Sequence, residues 1–204
     1  MQLTVTTFLS VDGVYQGPGG PDEDRSDGFD RGGWLVPHFD ETLSEFMGGV
    51  MAKADAFLIG RRTYEIFAAS WPRVTDADDP VGGPLNRLPK YVVSKTLDRA
   101  EWNNSTIIGG DVPAEVARLK GERGRELQVH GSGALVRTLL ADDLVDEMRL
   151  IVFPVIVGAG RRLFPDAGQA TGLELAESRT TPRGVAIHVY RPRGRPEFGE
   201  VELT

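Results

Sequence analysis

The chain contains no cysteine in its 204 residues. That absence removes disulfides, thiolate nucleophiles and cysteine-zinc centres together, and it suits a reducing compartment. Histidine is scarce. His38, His130 and His188 lie far apart and form no H-x-x-x-H or H-E-x-x-H spacing, so no metal site is expected. Positive charge is in deficit, with 23 Lys and Arg against 30 Asp and Glu and a net charge of −7. A balance of that sign argues against broad attraction to nucleic acid or to an anionic membrane, so an anionic ligand would have to be held by local groups. No apolar run is long enough to span a bilayer, and Met1-Gln-Leu-Thr-Val has neither a basic n-region nor an apolar h-region. The expectation is a cytoplasmic protein whose partner is a small molecule.

Hydrophobic residues make up 40% of the chain and charged residues 26%, as in a globular protein with a real core. Gln2 to Leu9 alternates and reads as an opening strand. Ser10-Val11-Asp12-Gly13 follows, then a stretch rich in Gly, Pro and Asp up to Pro37. Loops of that length border ligand sites or anchor themselves on the surface, and Trp34 serves either role. From His38 to Met51, Phe39, Leu43, Phe46, Met47 and Val50 share a helical face. Asp40 and Glu41 fall in its first turn, where carboxylates favour the helix dipole, and a buried carboxylate there could also supply a proton. Ala56 to Ile59 reads as a short buried strand and Ser70 to Pro89 as loop. Tyr91 to Ser94 and Thr106 to Ile108 read as strands, and Val112 to Lys120 as a helix. Glu147 to Val157 reads as one long strand interrupted at Pro154. Leu173 to Arg179 and Val185 to Arg191 then form a hairpin around Thr181-Pro182-Arg183-Gly184. One domain over 1–191 with a poorly ordered tail over 192–204 is the simplest organisation.

Two glycine-led turns stand out. At Glu126 to Leu140 a short strand passes through Gly131-Ser132-Gly133 into a helix bearing Leu135, Leu139 and Leu140 on one face. Such a turn leaves backbone N–H groups without intrahelical partners at the positive end of a helix dipole, ready for phosphate. The dinucleotide fingerprint G-x-G-x-x-G fails, because position 136 is Val136, and the serine elbow G-x-S-x-G fails at His130 and Ala134. Alone, the turn is as readily an ordinary bend. At Gly60-Arg61-Arg62-Thr63-Tyr64-Glu65 two guanidiniums crowd a helix N-terminus that normally repels cations, and an anion between them would remove the conflict. Two such N-termini suit the two ends of one dinucleotide.

These motifs, together with Lys90-Tyr91-Val92-Val93-Ser94, Leu144-Val145-Asp146-Glu147 and Pro154-x-x-x-Gly158-x-Gly160-Arg161-Arg162-Leu163-Phe164, occur in an order that resembles the dihydrofolate-reductase-like superfamily. The resemblance is closest to the reductase domain of bifunctional riboflavin-biosynthesis deaminase-reductases and their free-standing bacterial relatives. It implies an α/β, dihydrofolate-reductase-like three-layer fold, with a mostly parallel mixed sheet, helices on both faces and a C-terminal antiparallel hairpin. It implies NADPH as cofactor, hydride transfer to a C=N or C=O bond of a small heterocyclic or carbonyl substrate, and a homodimer. Gly131, Ser132, Gly133, Ala134 and Leu135 would receive the pyrophosphate. Gly60, Arg61, Arg62 and Thr63 would face the 2′-phosphate and other phosphate oxygens, Ser94 and Lys95 the adenosine, and Thr7, Gly13 and Val14 the nicotinamide. Asp40 and Asp12 are the candidate catalytic carboxylates, and Trp34, Phe39, Arg161 and Arg162 the candidate substrate-side residues. Arg161 and Arg162 suit a substrate phosphate or a solvated hairpin turn equally. Phe39 falls near the position of the folate reductases' pterin-binding carboxylate, which argues against folate reduction. The deaminase half is not in the sequence, so at most the reduction step is expected. The alternative is a non-catalytic nucleotide- or pterin-binding protein that keeps the fold.

Overall fold

The computed structural model describes residues 1–164 and 168–201. Chain order is β1 (Gln2–Ser10), α1 (Glu41–Met51), β2 (Ala54–Gly60), α2 (Arg61–Ser70), α3 (Gly82–Arg87), β3 (Lys90–Val93), β4 (Ser105–Ile108), α4 (Val112–Lys120), β5 (Glu126–His130), α5 (Gly133–Ala141), β6 (Glu147–Phe153), β7 (Leu173–Thr180) and β8 (Ala186–Pro192). The strands form one sheet in the order β4-β3-β2-β5-β1-β6-β8-β7. β4 through β6 pair in parallel, and β8 runs antiparallel to both β6 and β7. Parallel neighbours need crossovers, which the helices supply, and both faces of the central strands are therefore covered.

Alternation along the strands sorts the core. Leu3 and Val5 of β1 and Leu127 and Val129 of β5 lie on the face covered by Val116 and Leu119 of α4 and by Leu135, Val136 and Leu139 of α5, all buried. On the other face Leu43 and Met47 of α1 meet Ile151, Phe153 and Ile187. Phe57, Ile59 and Val92 there meet Tyr64 of α2 and Leu85 of α3. Each fully buried aliphatic or aromatic side chain contributes roughly 1.5–3 kcal/mol. Helix starts follow local chemistry: Asp40 accepts from Leu43 N at 2.9 Å and Asp111 from Ala114 N at 3.1 Å, capping α1 and α4.

Three boundaries differ from the sequence reading. The segment read as loop between Ser70 and Pro89 contains α3, because Asp79 Oδ1 accepts from the Val81 and Gly82 amides and organises a helix too short to show apolar periodicity. β6 stops at Phe153, since Pro154 has no N–H for the ladder. α1 begins at Glu41 and not at His38, because Asp40 is its cap in extended conformation. Beyond β8, Gly172 and Arg193 hydrogen-bond across to one another's neighbourhood, through Gly172 N to Gly194 O at 2.7 Å and Arg193 N to Gly172 O at 2.8 Å. No helix or strand follows up to Val201, and the last residues of the expected tail, 202–204, lie outside the described residues. Among the described residues no helix is long and apolar enough to cross a membrane.

Candidate active site

The carboxyl ends of β2, β5 and β1 lie side by side, and a cleft of about 950 Å³ opens there. Parallel sheets present ligand sites at this edge, where strand ends and helix N-termini converge. Thr6, Phe8 and His130 line the cleft from the sheet, Met47 and Met51 from α1, and Ile66, Phe67 and Trp71 from α2 and the turn after it. The long loop contributes Tyr15 to Asp24, and both glycine-led turns take part, with Gly60 to Thr63 and Gly131 to Leu135 all in the lining.

The two turns are joined. Ser132 sits in the left-handed region at φ 55°, and its Oγ accepts from Gly60 N at 3.0 Å and lies 2.9 Å from Thr63 Oγ1. The N-termini of α2 and α5 are thereby held together, although the residues that link them are 72 positions apart. The Ser132, Gly133 and Ala134 amides take no protein acceptor among the described residues. Gly133 leaves space that Tyr15 uses: a Cβ there would stand 2.5 Å from the tyrosine ring. Among the described residues the Arg62 guanidinium reaches only the Asp27 carboxylate, at 4.0 Å, and is half exposed. Arg61 pairs with Glu65 at 2.7 Å and donates to Thr96 Oγ1, which places it at the β3 end of the cleft beside the Ser94–Lys95 turn.

The other expected site residues divide between the cleft wall and contacts away from it. Ser94 Oγ accepts from the Thr96 and Leu97 amides, and neither Ser94 nor Lys95 lines the cleft. Thr7, Gly13 and Val14 lie outside its wall. Trp34 is buried against Phe153, with ring centroids 5.6 Å apart, and donates to Gln16 O at 2.9 Å. It anchors the loop whose neighbouring residues face the cleft, while Phe39 lines the cleft itself. Arg161 also lines it, but its guanidinium is engaged by Asp24, Asp27 and Ser26 across the loop. Arg162 lies behind, donating to Asp12 O at 2.8 Å.

Neither candidate carboxylate faces the cleft. Asp40 is taken up by capping α1 and by accepting from Arg183 N at 3.1 Å, which ties α1 to the β7–β8 turn. Asp12 accepts from Ser10 Oγ at 2.7 Å and from the Val157 and Gly158 amides at 3.0 and 2.9 Å. Burial would raise its pKa, but these hydrogen bonds outweigh it and hold the carboxyl well below the usual carboxylate range. Asp12→Asn removes one acceptor oxygen and is expected to cost about 1–3 kcal/mol of stability at neutral pH. A depressed folded-state pKa gives stability that is present above the unfolded value and lost as pH falls through the folded one. The penalty is therefore expected to shrink on acidification below about pH 4, and denaturant melts across that range check it.

Sequence reasoning missed a buried polar row that reaches the cleft at His130. On the face of β5 opposite Leu127 and Val129, Glu126, Gln128 and His130 form a polar row, buried apart from the half-covered His130. Arg149 of β6 grips Glu126 with Nη1–Oε2 at 3.0 Å and Nη2–Oε1 at 2.8 Å, and Glu147 at 2.7 Å. Burial alone would raise the Glu126 pKa, but Arg149 outweighs it and lowers it. Gln128 Nε2 donates to Glu126 Oε2 and to Val50 O, both at 2.7 Å, and Gln128 Oε1 lies 2.9 Å from His130 Nε2. Burial pulls the His130 pKa down to about 4, with the Arg149 charge adding to the effect. The imidazole is therefore neutral at neutral pH. The signal available was the alternation itself, which turns three successive polar side chains of a buried strand to one side.

The fold around this cleft is that of dihydrofolate reductase, shared with structures whose low identity shows architecture alone. A protein from Shewanella sp. PV-4 named for riboflavin biosynthesis matches with a TM-score of 0.67 at 20% identity, covering 95% of this chain and 99% of the other. A pyrimidine reductase-like protein from Corynebacterium diphtheriae matches at 0.61 and 14%, covering 94% and 92%. Dihydrofolate reductase from Enterococcus faecalis, solved with NADP(H), matches at 0.59 and 13%, covering 94% and 96%. The profile of the RibD C-terminal domain matches residues 1–187, and the chain belongs to that family. The uncharacterised protein YyaP of Bacillus subtilis (strain 168) is 29% identical over 195 residues, 95% of this chain and 96% of its own length.

Proposed function

We propose that this chain is an NADPH-dependent reductase of the riboflavin-biosynthesis reductase type, acting on a small heterocyclic or carbonyl substrate. The observation that carries the reading is the joining of two helix N-termini at Ser132, both facing one cleft with Arg62 beside them. The amides of Ser132 to Ala134 would hold one phosphate group and Arg62 its neighbour. Arg61, at the β3 end, would meet the 2′-phosphate. When bound, the cofactor supplies the hydride for a C=N or C=O bond. The protein supplies position and exclusion of water: Met47, Met51, Phe67 and Leu85 make the walls on the α1 side apolar. Tyr15, packed on Gly133, stands where it must shift or stack as a dinucleotide enters.

A binding-only role has one observation in its favour, that Asp12 and Asp40 are both taken up in structural contacts away from the cleft. The two readings separate in one experiment. NADPH is mixed with the protein and a panel of pteridines, pyrimidines and quinones, and its absorbance band is followed. Oxidation that depends on both protein and one panel member is the expected result. NADPH binding without consumption by any of them would favour the nucleotide-binding role.

A further inference from the structure

Charge is divided unevenly along the cleft. Arg61 and Arg62 stand on α2 and Arg137 on α5, the helices that start at the two glycine-led turns. Among the described residues every carboxylate of the lining, Asp22, Glu23 and Asp24, stands on the long loop. Arg161 is the lining cation that lies against that loop, and its fork is taken. Nη1 donates to Asp27 Oδ2 and to Ser26 Oγ, each at 2.8 Å, and Nη2 donates to Asp24 Oδ2. The contact with Asp24 is enclosed, that side chain being 9% exposed. Gln16, 2% exposed, holds both partners: its Oε1 accepts from Arg161 N at 3.0 Å, and its Nε2 donates to Ser26 O at 3.0 Å and to Asp24 O at 3.3 Å. Asp27 sits at φ 59°, a region that residues other than glycine seldom adopt, and the oxygen it gives to Arg161 is the one 4.0 Å from Arg62.

A guanidinium on a cleft wall is a ready fork for phosphate or carboxylate. Here two carboxylates of the chain itself fill it. A ligand anion could reach Arg161 only by expelling Asp24, which would be left enclosed without its cation, and Asp22 and Glu23 would oppose its approach. We propose that Asp24 and Asp27 are built-in occupants of the Arg161 anion site, so that the substrate carries no phosphate or carboxylate on the part that lies against the long loop. Both are specificity-determining residues, and Gln16 is a positioning one. The inference rests on reading the cleft as a reductase site, and it narrows the substrate to an unphosphorylated heterocycle or carbonyl compound.

The test uses inorganic phosphate as probe on the full chain without nucleotide, with binding followed by phosphorus NMR line broadening. Arg161→Gln should leave the wild-type dissociation constant for phosphate unchanged, because whatever phosphate the wild type holds lies elsewhere. Asp24→Asn with Asp27→Asn should bind phosphate about tenfold more tightly, as one new charge-assisted contact requires, and adding Arg161→Gln should abolish that gain. Asp27→Asn alone alters an exposed side chain, so it should melt with the wild type and show a smaller gain, which covers failure of the double variant to fold. Weaker phosphate binding in Arg161→Gln than in the wild type would overturn the proposal. So would the absence of any Arg161-dependent gain in the folded asparagine variants, or faster NADPH oxidation with a nucleoside monophosphate than with its nucleoside. NADPH titration of the same wild-type preparation reports on the cofactor reading separately, so failure of one is not mistaken for failure of the other.

Discussion

Arg149→Leu is expected to destabilise the fold by about 3–5 kcal/mol, because it leaves Glu126 buried without its cation. In a chain of this size that lowers the melting temperature on the order of 10 °C. The Arg149 side chain is 4% exposed and that of Glu126 8%, so water cannot take the place of the guanidinium. The pH dependence distinguishes this cause from lost packing. In the wild type the folded-state pKa of Glu126 is depressed, so its contribution is present above the unfolded value and disappears as pH falls through the folded one. In the variant, burial without Arg149 raises that pKa, and the carboxyl takes up a proton as the solution is acidified. The difference between the two proteins should therefore be largest near pH 7.5 and narrow markedly by pH 4. Denaturant melts at the two pH values decide it, and a difference independent of pH would assign the loss to packing alone. Replacing Glu126 by leucine as well should restore much of the stability, since a buried ion pair exchanged for apolar side chains is often close to neutral.

The second large effect concerns the choice between cofactors. Arg61→Ala should remove the preference for NADPH over NADH, raising the NADPH dissociation constant about 10- to 150-fold, as loss of a charge-assisted contact of roughly 1.5–3 kcal/mol requires. NADH affinity should hardly change. Arg62→Ala should weaken both cofactors alike, because Arg62 stands toward Asp27 and the long loop, whereas Arg61 stands toward Thr96. The wild-type preference should also fall as salt is added, since both guanidiniums are about half exposed. Fluorescence titrations of both nucleotides against the three proteins are sufficient. Equal affinity of the wild type for NADPH and NADH would end the assignment of either arginine to a 2′-phosphate.

What could be read in advance was what is written in neighbouring residues. Alternation at Gln2 to Leu9 announced β1, and Gly131-Ser132-Gly133 and Gly60-Arg61-Arg62 announced two helix starts, because turns and first helical turns are local chemistry. α3 was not visible, since six residues with Gly82, Gly83 and Pro84 carry no helical period. Asp40 could be placed at a helix start, but its spacing does not reveal that Arg183, 143 residues away, draws its second oxygen away from the cleft. Met47 read as part of an apolar helical face and proves also to line the cleft, together with Met51 one turn on. The polar row was hidden for a different reason. Thr6 meets His130 on one side and Arg149 on the other only through strand register, and register joins residues more than a hundred positions apart.

The bond from Gly60 N to Ser132 Oγ has a consequence for how ligand binding is felt by the whole chain. Neither glycine-led turn is complete without the other, and each is built on a central strand of the same sheet, β2 or β5, which pair directly. A local opening that separated α2 from α5 would dismantle both turns at once, so the competent site exists only where the sheet is formed. Binding energy gained there is returned to the global folding equilibrium and not to a loop, growing with the logarithm of ligand concentration over its dissociation constant. The cleft's occupant is in this sense a clamp on the fold, and hydrogen exchange should register it as added protection of the β2 and β5 amides that exchange only when the sheet opens.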